Sequence, residues 1–216
     1  MRVLSALLDL LYPPKCPFCG RVLERGEEGW CALCQEELPW TGEGEGRAVE
    51  LCDGCLSPLW YRAGARAGVH RLKFRGGAVH ARLFGLLMAQ CLQDRWAQPV
   101  DQITWVPLRP SSRARRGYDQ AELLARRVGE LTGLPVAAAL EKCRDTGVQS
   151  QLREESARRA NVQGAYRALP GAELAGKRLV LVDDVVTSGA TLFECAAALR
   201  VAGAESVAAL TLARAR

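Results

Sequence analysis

The chain has 216 residues, of which 49% are apolar and 25% charged, and it carries a net charge of +5 and nine cysteines. That length accommodates one α/β domain with a small appendage, and that composition excludes wholesale disorder. The positive excess suits anionic ligands such as phosphates or nucleic acid, but alone it selects none of them.

Residues 2–12 place Leu4, Leu7, Leu8 and Leu11 at helical spacing, which predicts a short amphipathic helix that docks on the rest of the chain. Asp9 interrupts this apolar opening, Pro13 and Pro14 end it, and no small-residue cleavage site follows. It is too short to span a bilayer. A cytoplasmic protein with reduced thiols is therefore expected, and closely paired cysteines then point to metal rather than disulfides.

Six cysteines form three Cys-x-x-Cys pairs, Cys16/Cys19, Cys31/Cys34 and Cys52/Cys55. Four thiolates complete a tetrahedral Zn²⁺ site, and Cys16, Cys19, Cys31 and Cys34 are the expected ligands of a structural zinc. Cys52 and Cys55 are then surplus to one four-ligand site, or they displace one of the other pairs. Cys91, Cys143 and Cys195 read as core thiols in or near helices. The segment 1–58 is thus expected to be a helix plus a Cys-rich zinc module, stapled by metal because it lacks a core of its own.

From residue 59 onward, strand-like and helix-like runs alternate. A helix is predicted from 78 to about 95, a buried strand over ITWVPL at 103–108, and a helix capped by Asp119 that closes near Gly133. RLVLV at 178–182 reads as a strand, 191–201 as a helix, and SVAALTL at 206–212 as a last strand. This alternation implies an α/β domain over 59–216 with a mostly parallel sheet flanked by helices.

The stretch LVLVDDVVTSGAT at 179–191 carries most of the chemistry. A strand runs into two acids, then into a hydroxyl-rich turn that opens a helix. Ligands of open parallel sheets bind beyond the carboxyl ends of strands. There Asp183 and Asp184 can accept hydrogen bonds from vicinal ribose hydroxyls. Thr187, Ser188, Gly189, Ala190 and Thr191 can wrap a phosphate with backbone N–H groups, hydroxyls and the helix dipole. Paired aspartates on separate faces of the sheet, or a hydroxyl-bearing turn pointing into solvent far from any cleft, would defeat this expectation.

Two further stretches support it. In VPLRPSSRARRGYDQ, Arg109, Arg113, Arg115 and Arg116 crowd into a turn after a strand, and Arg113 and Arg116 are the expected partners of a pyrophosphate. Asp119 beside Arg116 is expected to form an ion pair that weakens anion binding there. The segment 149–169, mixed in Gln, Arg and Asn, reads as a lid or its hinge.

The stretch VDDVVTSGAT resembles the 5-phosphoribosyl-1-pyrophosphate (PRPP) motif of type I phosphoribosyltransferases. The resemblance implies that Asp183 and Asp184 hold the ribose 2- and 3-hydroxyls and that the turn holds the 5-phosphate. The cysteine module, HRLKFRGG at 70–77, VPL…RRGYDQ, QSQL…RRANV…AY and VDDVVTSGAT, in this order, resemble the ComF (ComFC/GntX-type) family, in which Asn usually stands where this chain has Asp119. The resemblance implies a type I phosphoribosyltransferase fold and a role in natural competence, handling incoming single-stranded DNA, with other competence proteins as partners.

Three functions fit these residues. The first is a phosphoribosyltransferase that uses PRPP with Mg²⁺ held mainly by ligand oxygens. The second is a single-strand binder that uses basic residues with Trp30, Trp40, Trp60 and Tyr61. The third is a PRPP sensor without catalysis.

Overall fold

The computed structural model describes residues 13–42, 48–74, 77–144 and 162–215. The expected helix at 2–12 and most of the expected lid, 149–161, lie outside the described residues.

The elements follow in chain order. Helix α1 (Ala32–Glu37) belongs to the cysteine module, and two short strands come next, β1 (Gly54–Leu56) and β2 (Leu59–Trp60). Helix α2 (Ala63–Leu72), a 3-10 turn at Gly77–His80 and helix α3 (Ala81–Arg95) lead to β3 (Gln102–Trp105). Helices α4 (Pro110–Arg116) and α5 (Gln120–Thr132) precede a two-stranded antiparallel ribbon of β4 (Leu140–Lys142) and β5 (Tyr166–Ala168). Strand β6 (Arg178–Val186), helix α6 (Ala190–Val201) and strand β7 (Ser206–Arg214) complete the domain.

The main sheet is parallel throughout, in the order β1, β7, β6, β3, with β2 extending the β1 edge along β7. The expected division at 58/59 therefore falls between two strands that pair with the same neighbour. Alternation along β6 sends Val180 and Val182 to one face and Leu179 and Leu181 to the other, all within 1% of full burial. The first face packs Phe84, Leu87 and Met88 of α3 and Leu124 and Val128 of α5. The second packs Leu192, Cys195 and Leu199 of α6 with Leu140 and Tyr166 of the ribbon. Near-continuous apolar strands such as β6 and β7 are what a sheet covered on both faces requires.

The cysteine module joins the α3 side of the sheet. Phe18 is fully buried and its ring lies 5.3 Å from that of Phe84. A Cβ at Gly68 of α2 would come within 3.0 Å of Phe18 and 3.1 Å of Phe84, so the glycine makes room for this contact. The Arg71 guanidinium adds a polar clamp, donating to the carbonyls of Pro17 (3.3 Å), Phe18 and Cys19 (3.0 Å).

Three expectations are corrected. The arginine-bearing segment is the helix α4 rather than a turn, started by Pro110 in the first turn and closed by Gly117 in the left-handed conformation. Cys143 is exposed rather than a core thiol, because it lies just past the end of β4 at the edge of the ribbon, whereas Cys91 and Cys195 are buried. Asp119 does not pair with Arg116. It is buried, and its carboxylate accepts the N–H groups of Leu108 (2.8 Å), Ala121 (3.0 Å) and Glu122 (3.4 Å). It thereby caps α5 and fastens the loop after β3 to that cap, work that draws the carboxylate away from the neighbouring guanidinium.

Candidate sugar-phosphate site and zinc cluster

A cavity of about 520 Å³ opens where β6, β3 and β2 end, within the size range of small-molecule pockets. Asp183 through Leu192 form its floor without interruption. Strand alternation leans the two acids toward opposite faces of the sheet. In mid-sheet that would separate them. The expectation that they share one face is therefore not met; both acids nevertheless line the same cavity, because β3 stops at Trp105, opposite Val182, and leaves that side of β6 open.

The two carboxylates have different surroundings. Asp184 is buried on the α5 side, where Lys73 Nζ lies 2.9 Å from Oδ1 and Gln120 Nε2 donates to Oδ2 at 2.9 Å. Arg116 in turn donates to Gln120 Oε1 at 2.7 Å, so a chain of polar contacts runs from Arg116 through Gln120 and Asp184 to Lys73. Burial draws the Lys73 pKa down, but Asp184 outweighs it and the net shift is upward, so the ammonium stays charged. Asp183 leans the other way, toward Tyr166 and Cys195. It accepts the Asp184 N–H at 2.7 Å. Burial first, and the adjacent Asp184 charge second, push its pKa up to about 8. At neutral pH it is therefore mostly a protonated carboxyl, able to donate as well as accept.

The hydroxyl-bearing turn faces the same cavity: Thr187, Ser188, Gly189, Ala190 and Thr191 all line it. Gly189 occupies the N-cap of α6 at φ +82° and offers no side-chain cap, while Ser188 Oγ accepts the Ala190 N–H at 3.4 Å. The positive φ favours glycine, which has no Cβ to clash. The Val49 side chain packs 3.2 Å from where a Cβ would stand, so the turn is supported from behind. The start of this twelve-residue helix presents its positive dipole end to whatever fills the cavity.

The expected pyrophosphate pair is divided. Arg116 lines the cavity, but Arg113 does not; it is exposed and pairs with Glu122 at 3.2 Å. Arg109 and the buried Ser112 line the wall beside Arg116. Sequence reasoning gave no role to Lys73, Gln120, Tyr61, Arg66, Lys142 or Tyr166 in this cavity, yet all of them line it. Of these, Lys73 lies in HRLKFRGG and Gln120 in RRGYDQ, so a signal existed, though not one that named a partner.

Cys16, Cys19, Cys31 and Cys34 form a separate cluster whose four sulfurs all lie within 4.8 Å of one another. Tetrahedral zinc with bonds of about 2.3 Å places its sulfurs about 3.8 Å apart. The Cys19–Cys31 separation of 3.6 Å agrees with that spacing. The donor set thus fits structural zinc. Cys52 and Cys55 take no part, and Cys55 lies buried on β1 in the other core. The aromatic residues near the module are largely engaged in packing: Trp30 lies 5.7 Å from Phe18 and 5.9 Å from Trp40, and Arg214 stacks over Trp60. Tyr61 instead lines the cavity, and Trp40 remains 43% exposed. Among the described residues no helix is long and apolar enough to cross a membrane.

Comparison with known proteins matches both parts of the chain. A phosphoribosyl transferase domain model matches residues 114–216, and a double zinc ribbon domain model matches residues 7–63. The DNA utilization protein YhgH of Salmonella typhi is 30% identical over 95% of this chain and 99% of its own length. Competence protein F of Haemophilus influenzae is 28% identical over 93% of this chain and 97% of its own. Among solved structures, the glutamine PRPP amidotransferase of B. subtilis matches with 28% identity and a TM-score of 0.43, over 62% of this chain and 26% of that one. A parallel sheet with flanking helices, a four-cysteine cluster and relatives matched nearly end to end place this chain in the ComF/ComFC/YhgH family, as a type I phosphoribosyltransferase domain joined to an N-terminal zinc ribbon.

Proposed function

We propose that the cavity binds PRPP with Mg²⁺, and that the protein acts as a phosphoribosyltransferase-like component of natural competence. The observation that carries this reading is the convergence of three kinds of group on one cavity. These are two acids on β6 beyond the point where β3 stops, a hydroxyl-rich helix start, and cationic side chains. The helix start takes the 5-phosphate. Asp183, protonated near neutrality, and Asp184, ionised, take the ribose hydroxyls with complementary donor and acceptor character. Arg109 and Arg116 offset the charge of the pyrophosphate, which is the electrostatic contribution to its departure if transfer occurs. Mg²⁺ bound through the ligand's oxygens would neutralise further charge on the pyrophosphate.

Calorimetric titration with PRPP and Mg²⁺ tests the reading. Wild-type protein binds, and the double variant Asp183→Ala/Asp184→Ala loses binding. The double Asn variant, checked for an unchanged circular dichroism spectrum, controls for the loss of Asp184 as a partner of Lys73. Unchanged affinity in both variants refutes the assignment.

The competence role rests on the names of the relatives, one a competence protein and another a DNA utilization protein. The exposed Trp40 on the zinc ribbon and the net charge of +5 support contact with single-stranded DNA on a surface apart from the cavity. A filter-binding salt titration checks this: affinity falls steeply with salt if the contact is real, and no binding at low salt rejects it.

A further inference from the structure

The cavity has a wall that PRPP does not account for. Displacement at a sugar carbon brings the nucleophile in on the side opposite the leaving group. The sheet order separates two such sides. The acid pair and the phosphate turn sit at the end of β6. On one flank the end of β3 brings Arg109, Ser112 and Arg116. On the other flank, beyond β7, the end of β2 brings Tyr61, and α2 with the residue after it brings Arg66 and Lys73. Two arginines and a loop fastened by Asp119 suit the highly charged pyrophosphate, which leaves the β2 flank for the acceptor.

We propose that Tyr61, Arg66 and Lys73 form the acceptor subsite and that it takes a small planar anion, an aromatic or heteroaromatic carboxylate. This rests on the PRPP reading above. Tyr61 is half-buried and offers a ring on which a planar acceptor can stack. Arg66 is exposed and has no ion pair among the described residues, so its guanidinium fork is available to a carboxylate. Lys73 borders the same wall with its ammonium held by Asp184 at 2.9 Å, and through Asp184 and Gln120 it connects to Arg116 on the opposite flank. The wall is poorly suited to an uncharged amino-purine. The cavity's acids are Asp183 and Asp184, assigned to the ribose, and its one amide, Gln120, is engaged by both its oxygen and its nitrogen. Among the described residues lining the β2 flank there is no carboxylate or amide left to accept an exocyclic amine.

In the transfer, the acceptor's nucleophilic atom forms a bond to the sugar carbon as the carbon–oxygen bond to pyrophosphate breaks. The electron pair of that bond leaves with the pyrophosphate; an N–H nucleophile gives its proton to water, whereas a pyridine nitrogen, which has none to give, becomes a pyridinium.

The test uses the full-length zinc-loaded protein. Orotate, quinolinate and anthranilate are titrated by calorimetry in the presence of ribose 5-phosphate and Mg²⁺, with uracil and adenine as uncharged probes. Pyrophosphate release from PRPP is then followed with each compound. At least one carboxylate should bind about tenfold tighter than either uncharged base, as expected for a charge-assisted contact. Arg66→Gln, at an exposed position, should lose that preference while its PRPP affinity stays within about twofold of wild type. Tyr61→Leu should weaken the carboxylates and uncharged bases alike. The proposal is overturned if PRPP binds but none of the carboxylates does, if uncharged bases bind better, or if Arg66→Gln weakens PRPP as much as the carboxylate. A wild-type protein that does not bind PRPP at all overturns the earlier reading and this one with it.

Discussion

Asp183 makes the pocket costly to the empty protein, and replacing it with Asn should stabilise the fold at alkaline pH. Folded, its carboxyl keeps its proton up to about 8, because burial and the neighbouring Asp184 charge disfavour ionisation; unfolded, it ionises near 3.8. Between those pH values the folded chain binds more protons than the unfolded one, so this group makes stability fall as pH rises. Below the window both states are protonated and the cost vanishes; above it the whole cost is present. At about 1.4 kcal/mol for each tenfold change in proton affinity, the interval corresponds to roughly 5–6 kcal/mol. Partial exposure to a water-filled cavity reduces this to an expected effect of about 2–3 kcal/mol. Asn keeps the oxygen that accepts the Asp184 N–H and removes the charge. Urea denaturation of ligand-free wild type and Asp183→Asn across this range is the assay. The two should agree near pH 4 and diverge steadily, with the variant more stable by about 2–3 kcal/mol near pH 8.5. Parallel stability curves, or a variant less stable at high pH, would refute the reasoning. The same substitution should weaken ribose binding, so the pocket trades stability for function.

Three other outcomes follow from the contacts. Arg71→Ala removes three hydrogen bonds to the first knuckle's carbonyls, at a cost of about 1–3 kcal/mol; zinc transfer to a chromogenic chelator should speed up about tenfold, and an unchanged rate would show that the clamp is idle. Gly189→Ala forces a side chain into a φ of +82° against Val49, costing about 1–2 kcal/mol. Calorimetry with ribose 5-phosphate should show binding weakened well beyond that of a surface Gly→Ala control such as Gly171. Elemental analysis should find one zinc per chain in wild type and in Cys52→Ser/Cys55→Ser, and none in Cys16→Ser/Cys19→Ser; loss of zinc on changing Cys52 and Cys55 contradicts the cluster.

The most local features of the fold are the most legible in sequence. Asp119 at the start of α5 and Gly133 at its end are read correctly from type and position. The end of β6 is not. An apolar run predicts a strand ending at 182, whereas it continues through both acids to Val186, because β7 still pairs with it at Val185 and Val186. A neighbouring strand, not local propensity, sets that length. Helix α4 has Pro110 and Gly117 as start and stop signals, but a dense run of arginines between them favours a loop reading. Within the site, the acid pair and the phosphate turn are contiguous in sequence and so visible there. Lys73 reaches Asp184, and Arg113 turns to Glu122, only through tertiary packing that no local pattern encodes. Asp119 shows the same limit: its proximity to Arg116 in sequence suggests an ion pair, while three backbone donors in space claim the carboxylate.

The most direct examination of the central claim is a crystal structure of the zinc-loaded protein soaked with PRPP and Mg²⁺. The account places the 5-phosphate within hydrogen-bonding reach of the N–H groups at the start of α6, the ribose hydroxyls on Asp183 and Asp184, and the pyrophosphate toward Arg109 and Arg116. A ligand lodged elsewhere on the chain, or a cavity that stays empty at saturating PRPP, would contradict it.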